Sequence, residues 1–147
     1  EGAGWRTRSA PVHRSAAEVV SVCCRCASLR RGGLWQAYLY VATFDVSTWS
    51  APVRLYAPIN SAGEDKQPAF PADGDTMYFT SDRNPLVGSA IYRSAWDGDS
   101  WSAPELVISG IVGEPSLTPD GKYLYFVHVL TSGGAGFDAD VWWCEKR

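Results

Sequence analysis

Residues 67–80, QPAFPADGDTMYFT, align without a gap with residues 114–127, EPSLTPDGKYLYFV. Both segments share an early proline, an Asp-Gly pair and a Tyr-Phe pair in the same register. Asp-Gly between two apolar runs is a strong hairpin signal, because glycine supplies the positive φ that a primed turn requires. The sequence therefore predicts two hairpins, 67–81 and 114–130, that are copies of one repeated unit.

Two further pairings extend this repeat along the chain. The segment 49–52, WSAP, recurs at 101–104, and short apolar and aromatic pairs recur at Leu39-Tyr40, Ile91-Tyr92 and Val141-Trp142. Because proline cannot donate to a sheet ladder, the proline of each WSAP segment predicts that the last strand of a unit lies at a sheet edge. Four short strands at a period of about 47 to 52 residues are typical of β-propeller blades.

The repeated segment also resembles the blade motif of TolB-like and WD-like propellers. Residues 118–121, TPDG, match that motif in one copy, and residues 81–83, SDR, match the sequence that often follows it in the other. The copies depart from the motif at 71–72, PA, and at 127–129, VHV. The resemblance covers about residues 34–147 and implies a fold rather than an activity. If it extends to compartment, it implies a periplasmic or extracytoplasmic protein.

We therefore expect an all-β chain that forms a partial β-propeller of about two and a half four-stranded blades. The blades are expected at about 34–56, 66–108 and 113–147, after an atypical N-terminal segment, 1–33. Closed propellers have roughly four to eight blades, and open sheet edges invite association. The chain is thus predicted to be a fragment of a longer protein or a homo-oligomer that completes a propeller ring.

Residues 15–31 lack both the proline motif and Asp-Gly, although the first half of the first blade is expected there. Two interpretations stay open. The β-branched stretch 18–24 is suited to a replacement strand, for instance one that pairs with residues 140–145 of the last blade. Alternatively, the segment is foreign to the fold. Three cysteines lie in it, Cys23, Cys24 and Cys26, and their pairing with Cys144 is left open.

Composition excludes two classes of partner. Residues 1–33 hold six arginines and two glutamates and therefore carry a net charge of +4. The remaining chain carries −7, which gives the total of −3. An acidic body repels phosphates, so nucleic acid is not an expected partner. No apolar run approaches the roughly 18 residues of a membrane helix, so no membrane span is expected.

Charged loop residues are the candidate ligand-binding groups, because loops at one end of a β-fold commonly carry function. The candidates are Glu64, Asp65, Asp82 and Arg83. We expect a non-catalytic binding or scaffold module for a protein, peptide or glycan, with no cofactor, no metal site and no catalytic residue. The alternative is a sialidase- or glycosidase-like enzyme fragment, since Asp97-Gly98 and Trp101 faintly resemble a sialidase Asp box.

Overall fold

The computed structural model describes residues 22–23, 36–45, 47–131 and 137–146, with only the backbone given for residues 22–23, 45, 131 and 137. Predictions that concern other residues, including most of the segment 1–33, lie outside this part of the chain. The described residues form antiparallel β-sheets and contain no helix, so the all-β class is confirmed. None of these sheets closes on itself within the described ranges. No helical segment there has the length and apolar character needed to traverse a bilayer.

The first sheet has three short strands in the order β1-β2-β5. They are β1 (Val22–Cys23), β2 (Tyr40–Val41) and β5 (Val53–Arg54), and the small hairpin of β3 (Phe44–Asp45) and β4 (Thr48–Trp49) lies between β2 and β5 in sequence. Val22 lies opposite Val41, and Cys23 lies opposite Tyr40. The stretch 18–24 thus does contain strand residues, but they pair within the first sheet and not with residues 140–145.

The middle sheet is a complete four-stranded unit in the order β6-β7-β8-β9. Its strands are β6 (Asp65–Ala69), β7 (Thr76–Ser81), β8 (Ala90–Ala95) and β9 (Glu105–Ile108). Strand β9 begins after Pro104 and lies at the edge, as predicted from the proline. Trp101 makes an isolated bridge to Trp96 instead of extending β9.

The third sheet has the order β10-β11-β12. It consists of β10 (Val112–Leu117), β11 (Tyr123–Thr131) and β12 (Phe137–Glu145). Strands β11 and β12 pair along their whole length, from Tyr123 opposite Glu145 to Thr131 opposite Phe137. In this sheet β12 occupies the place that β8 has in the middle sheet, and no described strand pairs with its outer edge.

The three sheets stack through two hydrophobic clusters. The front face of the middle sheet, which carries Met77, Phe79 and Tyr92, packs against Leu39, directly before β2, and Ile59, in the loop before β6. Its back face, which carries Tyr78 and Ile91, packs against the front face of the third sheet, which carries Val112, Leu124 and Phe126. The middle sheet is therefore covered on both faces, which explains the nearly unbroken apolar sequence of β7.

The Asp-Gly hairpins form a different turn from the one predicted. Gly74 and Gly121 have φ of 72° and 67°, whereas neither preceding aspartate is left-handed. The N–H of Gly74 donates to Pro71 O, and the N–H of Gly121 donates to Thr118 O. A primed turn needs positive φ earlier in the turn, so the primed type is wrong here. Glycine instead follows an ordinary turn and supplies the left-handed residue that returns the chain to the sheet.

Candidate functional site

The structure brings the four predicted residues together where β6 begins and β7 ends. Asp65 is the first residue of β6 and lies opposite Ser81, the last residue of β7. Asp82 and Arg83 follow Ser81 directly, and Glu64 precedes Asp65. The antiparallel pairing of β6 with β7 therefore explains why two loops distant in sequence meet here.

Asp65 and Arg83 form the buried centre of this loop cluster. Asp65 is fully buried, and its Oδ1 accepts hydrogen bonds from Arg83 Nη2 at 2.8 Å and Ser81 Oγ at 2.6 Å. Its Oδ2 accepts from the N–H and hydroxyl of Ser61. The Arg83 guanidinium also donates to Pro58 O and Ile59 O. These groups satisfy one another, so the pair fastens the preceding loop to the middle sheet.

Glu64 and Asp82 lie at the exposed rim of the cluster. Asp82 Oδ1 accepts from the Glu64 N–H at 2.6 Å, and the Glu64 carboxylate pairs with Lys66 Nζ at 2.6 Å. A side chain at Gly63 would place its Cβ 2.2 Å from Asp82 Oδ1, so it would displace that carboxylate from its hydrogen bond with the Glu64 N–H. Of the four predicted residues, Glu64 and Asp82 are therefore the ones with carboxylates near solvent.

Sequence analysis did not identify the pair Gln67 and Glu114, which hold the same position in the two copies of the repeat. Both adopt left-handed backbone, with φ of 55° and 56°, a conformation that costs a residue other than glycine about 1–2 kcal/mol. Both precede a proline and sit at matching irregularities in the pairing of β6 with β7 and of β10 with β11. The signal available in sequence was a polar residue before proline in both copies.

These two side chains meet across the junction between the middle and third sheets. Gln67 Oε1 accepts from the Glu114 N–H at 3.1 Å, and Gln67 Nε2 donates to Glu114 Oε1 at 3.3 Å. The Glu114 N–H also donates to Thr80 Oγ1 at 3.2 Å. Strained backbone that recurs in register is characteristic of functional positions in proteins.

A groove of about 190 Å³ lies beside this pair. Its polar lining residues are Lys66, Gln67, Thr80, Ser89 and Glu114, and its apolar wall comes from β10 and β11. Lys66 belongs both to this groove and to the ion pair with Glu64. Lys66 therefore connects this groove to the rim of the loop cluster. We call the groove the inner groove.

The residues that resemble an Asp box form a structural turn. The Asp97 carboxylate accepts hydrogen bonds from the N–H groups of Ser100 and Asp99, and these bonds hold its pKa below the ordinary value. Trp101 packs against Trp96 with ring centroids 5.3 Å apart and against Phe70 at 6.2 Å. A carboxylate that accepts two backbone N–H bonds is held in place as a turn anchor.

Cys144, the only cysteine whose side chain lies in the described ranges, is a free thiol. It is half-buried and packs with Leu124 in the cluster between the middle and third sheets. In this environment it acts as a small apolar side chain.

Comparison of the chain with models of known protein families, with characterised proteins and with solved structures finds no match.

Proposed function

We propose that this chain is a non-catalytic binding or scaffold module built from TolB-like propeller blades, and that it binds a peptide or glycan at the inner groove. The observation that carries the proposal is the pair Gln67 and Glu114. Two residues at one repeat position share a strained conformation, contact each other and line the same groove. In a propeller the first strand of each blade lines the central channel, and β6 and β10 are the first strands of their units.

The size of the groove supports recognition of one polar group rather than enclosure of a whole substrate. Pockets that enclose drug-sized ligands measure about 300–1,000 Å³. A groove of about 190 Å³ accommodates a single side chain or part of one sugar ring. Glu114 is exposed and offers carboxylate oxygens, and the half-buried Ser89 hydroxyl donates to Val112 O but can still accept a hydrogen bond. Amide, ammonium and sugar hydroxyl groups therefore fit the chemistry of the lining.

The environments of the carboxylates favour binding over glycoside hydrolysis. Asp65 is committed to a buried ion pair, and Asp97 is committed to a turn. Asp120 likewise accepts from the Thr118 hydroxyl at 2.5 Å and from the Lys122 N–H at 3.0 Å. Glycoside hydrolysis needs two carboxyl groups that face one bond across a cleft. The carboxylates of Asp65, Asp97 and Asp120 are instead held in an ion pair or in turns.

Glycan and peptide arrays test this proposal when the wild-type chain is probed beside Glu114→Gln and Glu105→Gln. Glu105 is the matched control, because it is an exposed carboxylate on the outer strand β9 and pairs there with Arg93. We expect binding by wild type and by Glu105→Gln, with at least about tenfold weaker binding by Glu114→Gln.

The wild-type chain, Glu64→Gln and Asp82→Asn are assayed with chromogenic glycosides. We expect no hydrolysis above the buffer blank. Hydrolysis that disappears in Glu64→Gln or Asp82→Asn would overturn the proposal in favour of a glycosidase. Equal binding by wild type, Glu114→Gln and Glu105→Gln would show that the ligand does not bind at the inner groove.

A further inference from the structure

The inner groove places an exposed carboxylate beside an aliphatic wall. The side chains of that wall are Ile111, Val112, Val127 and Val129. Ile111 is 47% exposed, and its φ of 52° is a conformation that β-branched residues rarely adopt. Glu114 is exposed and lines the same groove. Strained residues such as Ile111 cluster at ligand-binding positions in proteins.

The charges around the groove leave the Glu114 carboxylate without a counter-ion. The ammonium of Lys66, the cation of the groove lining, is already paired with the Glu64 carboxylate at 2.6 Å. In the described part of the chain no lysine or arginine pairs with Glu114, and its Oε1 accepts a neutral hydrogen bond from Gln67 Nε2 at 3.3 Å. Asp82 adds a further carboxylate at the adjoining rim. The groove is therefore suited to a cation, and it would repel a carboxylate or a phosphate.

Hydrogen bonds hold Glu114 in place before any ligand arrives. Its N–H donates to Gln67 Oε1 at 3.1 Å and to Thr80 Oγ1 at 3.2 Å. A Cβ at Gly113 would lie 3.1 Å from Gln67 Oε1, so a larger residue there would crowd the amide that holds Glu114. A carboxylate that is positioned in advance loses less conformational freedom when it binds a cation.

We propose that the inner groove binds the side chain of a lysine in a peptide ligand. This inference rests on the proposed function and names the ligand class for the same site. The four-carbon stem of lysine is suited to the aliphatic wall. Its ammonium, which donates hydrogen bonds and accepts none, is suited to the oxygens of Glu114 and Ser89.

Sugars and arginine fit the lining less well than lysine. A sugar ring carries hydroxyl groups on most of its carbons, and those facing the aliphatic wall would lose water without gaining a hydrogen bond. Arginine gains most from bidentate pairing with a carboxylate and from stacking on aromatic rings. One oxygen of Glu114 is already bonded to Gln67, and none of the described residues that line the groove is aromatic.

NMR titration of the wild-type chain with matched peptides tests the inference. The peptides are flanked by glycines, blocked at both ends, and differ in a central lysine, arginine, norleucine or acetyl-lysine. Concentrations reach roughly 10 mM, since one side chain supports weak binding. The lysine peptide is expected to shift the amide signals of Val112 and Glu114. It is expected to bind at least about tenfold more tightly than the norleucine and acetyl-lysine peptides, which keep the stem but lack the charge, and more tightly than the arginine peptide.

Variants separate recognition of the ammonium from the shape of the groove. Glu114→Gln is expected to bind the lysine and norleucine peptides equally, whereas a merely distorted groove would weaken both. Ile111→Asn removes part of the wall at a backbone conformation that asparagine tolerates, so it is expected to weaken lysine binding about threefold or more without lowering the thermal midpoint. Glu105→Gln is the control, because this carboxylate pairs with Arg93 outside the groove. It is expected to bind as wild type does.

The outcomes distinguish this inference from the proposed function. Equal binding of the lysine and norleucine peptides by wild type, tighter binding of the arginine peptide, or a lysine preference that Glu114→Gln retains would each overturn the lysine assignment. A glycan or uncharged peptide found on the arrays, with binding that depends on Glu114, would also overturn it while the proposed function stands. Array binding that does not depend on Glu114 would overturn both.

Discussion

The middle and third sheets are two copies of one repeated unit in two different environments. Phe79 in the middle sheet and Phe126 in the third sheet occupy the same position, and both are buried against the preceding sheet. One residue earlier, Tyr78 is buried and Tyr125 is 40% exposed. The repeat thus specifies the front face alike in both copies, whereas the back face is covered only in the middle sheet, where the third sheet packs on it.

The middle and third sheets also differ in the residues at which their first hairpins begin and end. Asp65 and Ser81 begin and end the first hairpin of the middle sheet and lie opposite each other. The equivalent positions of the third sheet are occupied by Val112 and His128, which also lie opposite each other. The middle sheet is therefore fastened to the preceding loop by a buried ion pair, and the third sheet has an apolar residue and an imidazole at that place. The repeat preserves the packing of the sheets but not this polar anchor.

Removing the buried anchor is expected to have the largest effect on stability. Asp65→Ala leaves the partly buried Arg83 guanidinium without its carboxylate, and breaking such a pair costs about 3–5 kcal/mol. The measurement is the free energy of unfolding in urea. Glu64→Ala is the control, since the half-exposed pair of Glu64 with Lys66 contributes about 1 kcal/mol or less. Equal losses in the two variants would show that Asp65 is not an anchor.

Truncation at a matched back-face position is expected to give the next largest difference. Ile91→Ala removes a fully buried side chain, at a cost of about 2–5 kcal/mol. Val141→Ala is expected to change the free energy of unfolding by no more than about 0.5 kcal/mol, because Val141 is mostly exposed. Urea unfolding at low protein concentration, where self-association makes no contribution, provides the measurement. A loss at Val141 as large as that at Ile91 would contradict the exposed back face.

The strained position is expected to respond alike in both sheets. At φ of 56°, Glu114→Val introduces a β-branched residue into left-handed backbone and is expected to cost about 1 kcal/mol beyond the strain that Glu114 already carries. Glu114→Gly removes that strain and is expected to be neutral or slightly stabilising. Gln67→Val and Gln67→Gly are expected to give the same order in thermal unfolding. A glycine variant less stable than the valine variant would contradict the strained conformation.

The turn at Asp120-Gly121 is expected to make a small contribution to the dependence of stability on pH. The Thr118 hydroxyl and the Lys122 N–H hold the pKa of Asp120 below its ordinary value of 3.8, whereas the matched turn has Pro71 in place of Thr118. A lowered pKa in the folded state stabilises the fold above pH 3.8, and this contribution is lost as the pH falls below that value.

Titration of the Asp120 carboxyl by NMR checks this effect. Thr118→Ala is expected to move the pKa of Asp120 back toward its ordinary value, because the strongest hydrogen bond to the carboxylate is removed. An unchanged pKa in that variant would assign the shift to the backbone of the turn alone.

Sequence patterns predicted the central strands well, because local signals and tertiary packing agree there. Strand β7, at 76–81, ends the predicted hairpin 67–81, and β8, at 90–95, contains the recurring pair Ile91-Tyr92. Strand β9 starts at Glu105, directly after Pro104, and Trp101 packs on Trp96 outside that strand. The propeller itself stays a prediction, as does the TolB-like resemblance.

The candidate site was only partly predictable. Charged loop residues pointed to the cluster around Asp65, but a sequence does not reveal that its carboxylate is buried and paired. Gln67 and Glu114 were visible as members of a repeat, whereas their left-handed backbone and mutual hydrogen bonds appear only when β6 and β10 are placed side by side. The short strand β1 lacked any turn signal that would have placed it in the first sheet.

The most direct test of the account is hydroxyl-radical footprinting of the dilute wild-type chain, with oxidation quantified at Tyr78 and Tyr125. These tyrosines hold the same repeat position, and they differ in exposure because the third sheet covers Tyr78. The account predicts rapid oxidation of Tyr125 and strong protection of Tyr78. Equal protection of the two tyrosines would contradict an open back face on the third sheet and, with it, the comparison on which this description of the molecule depends.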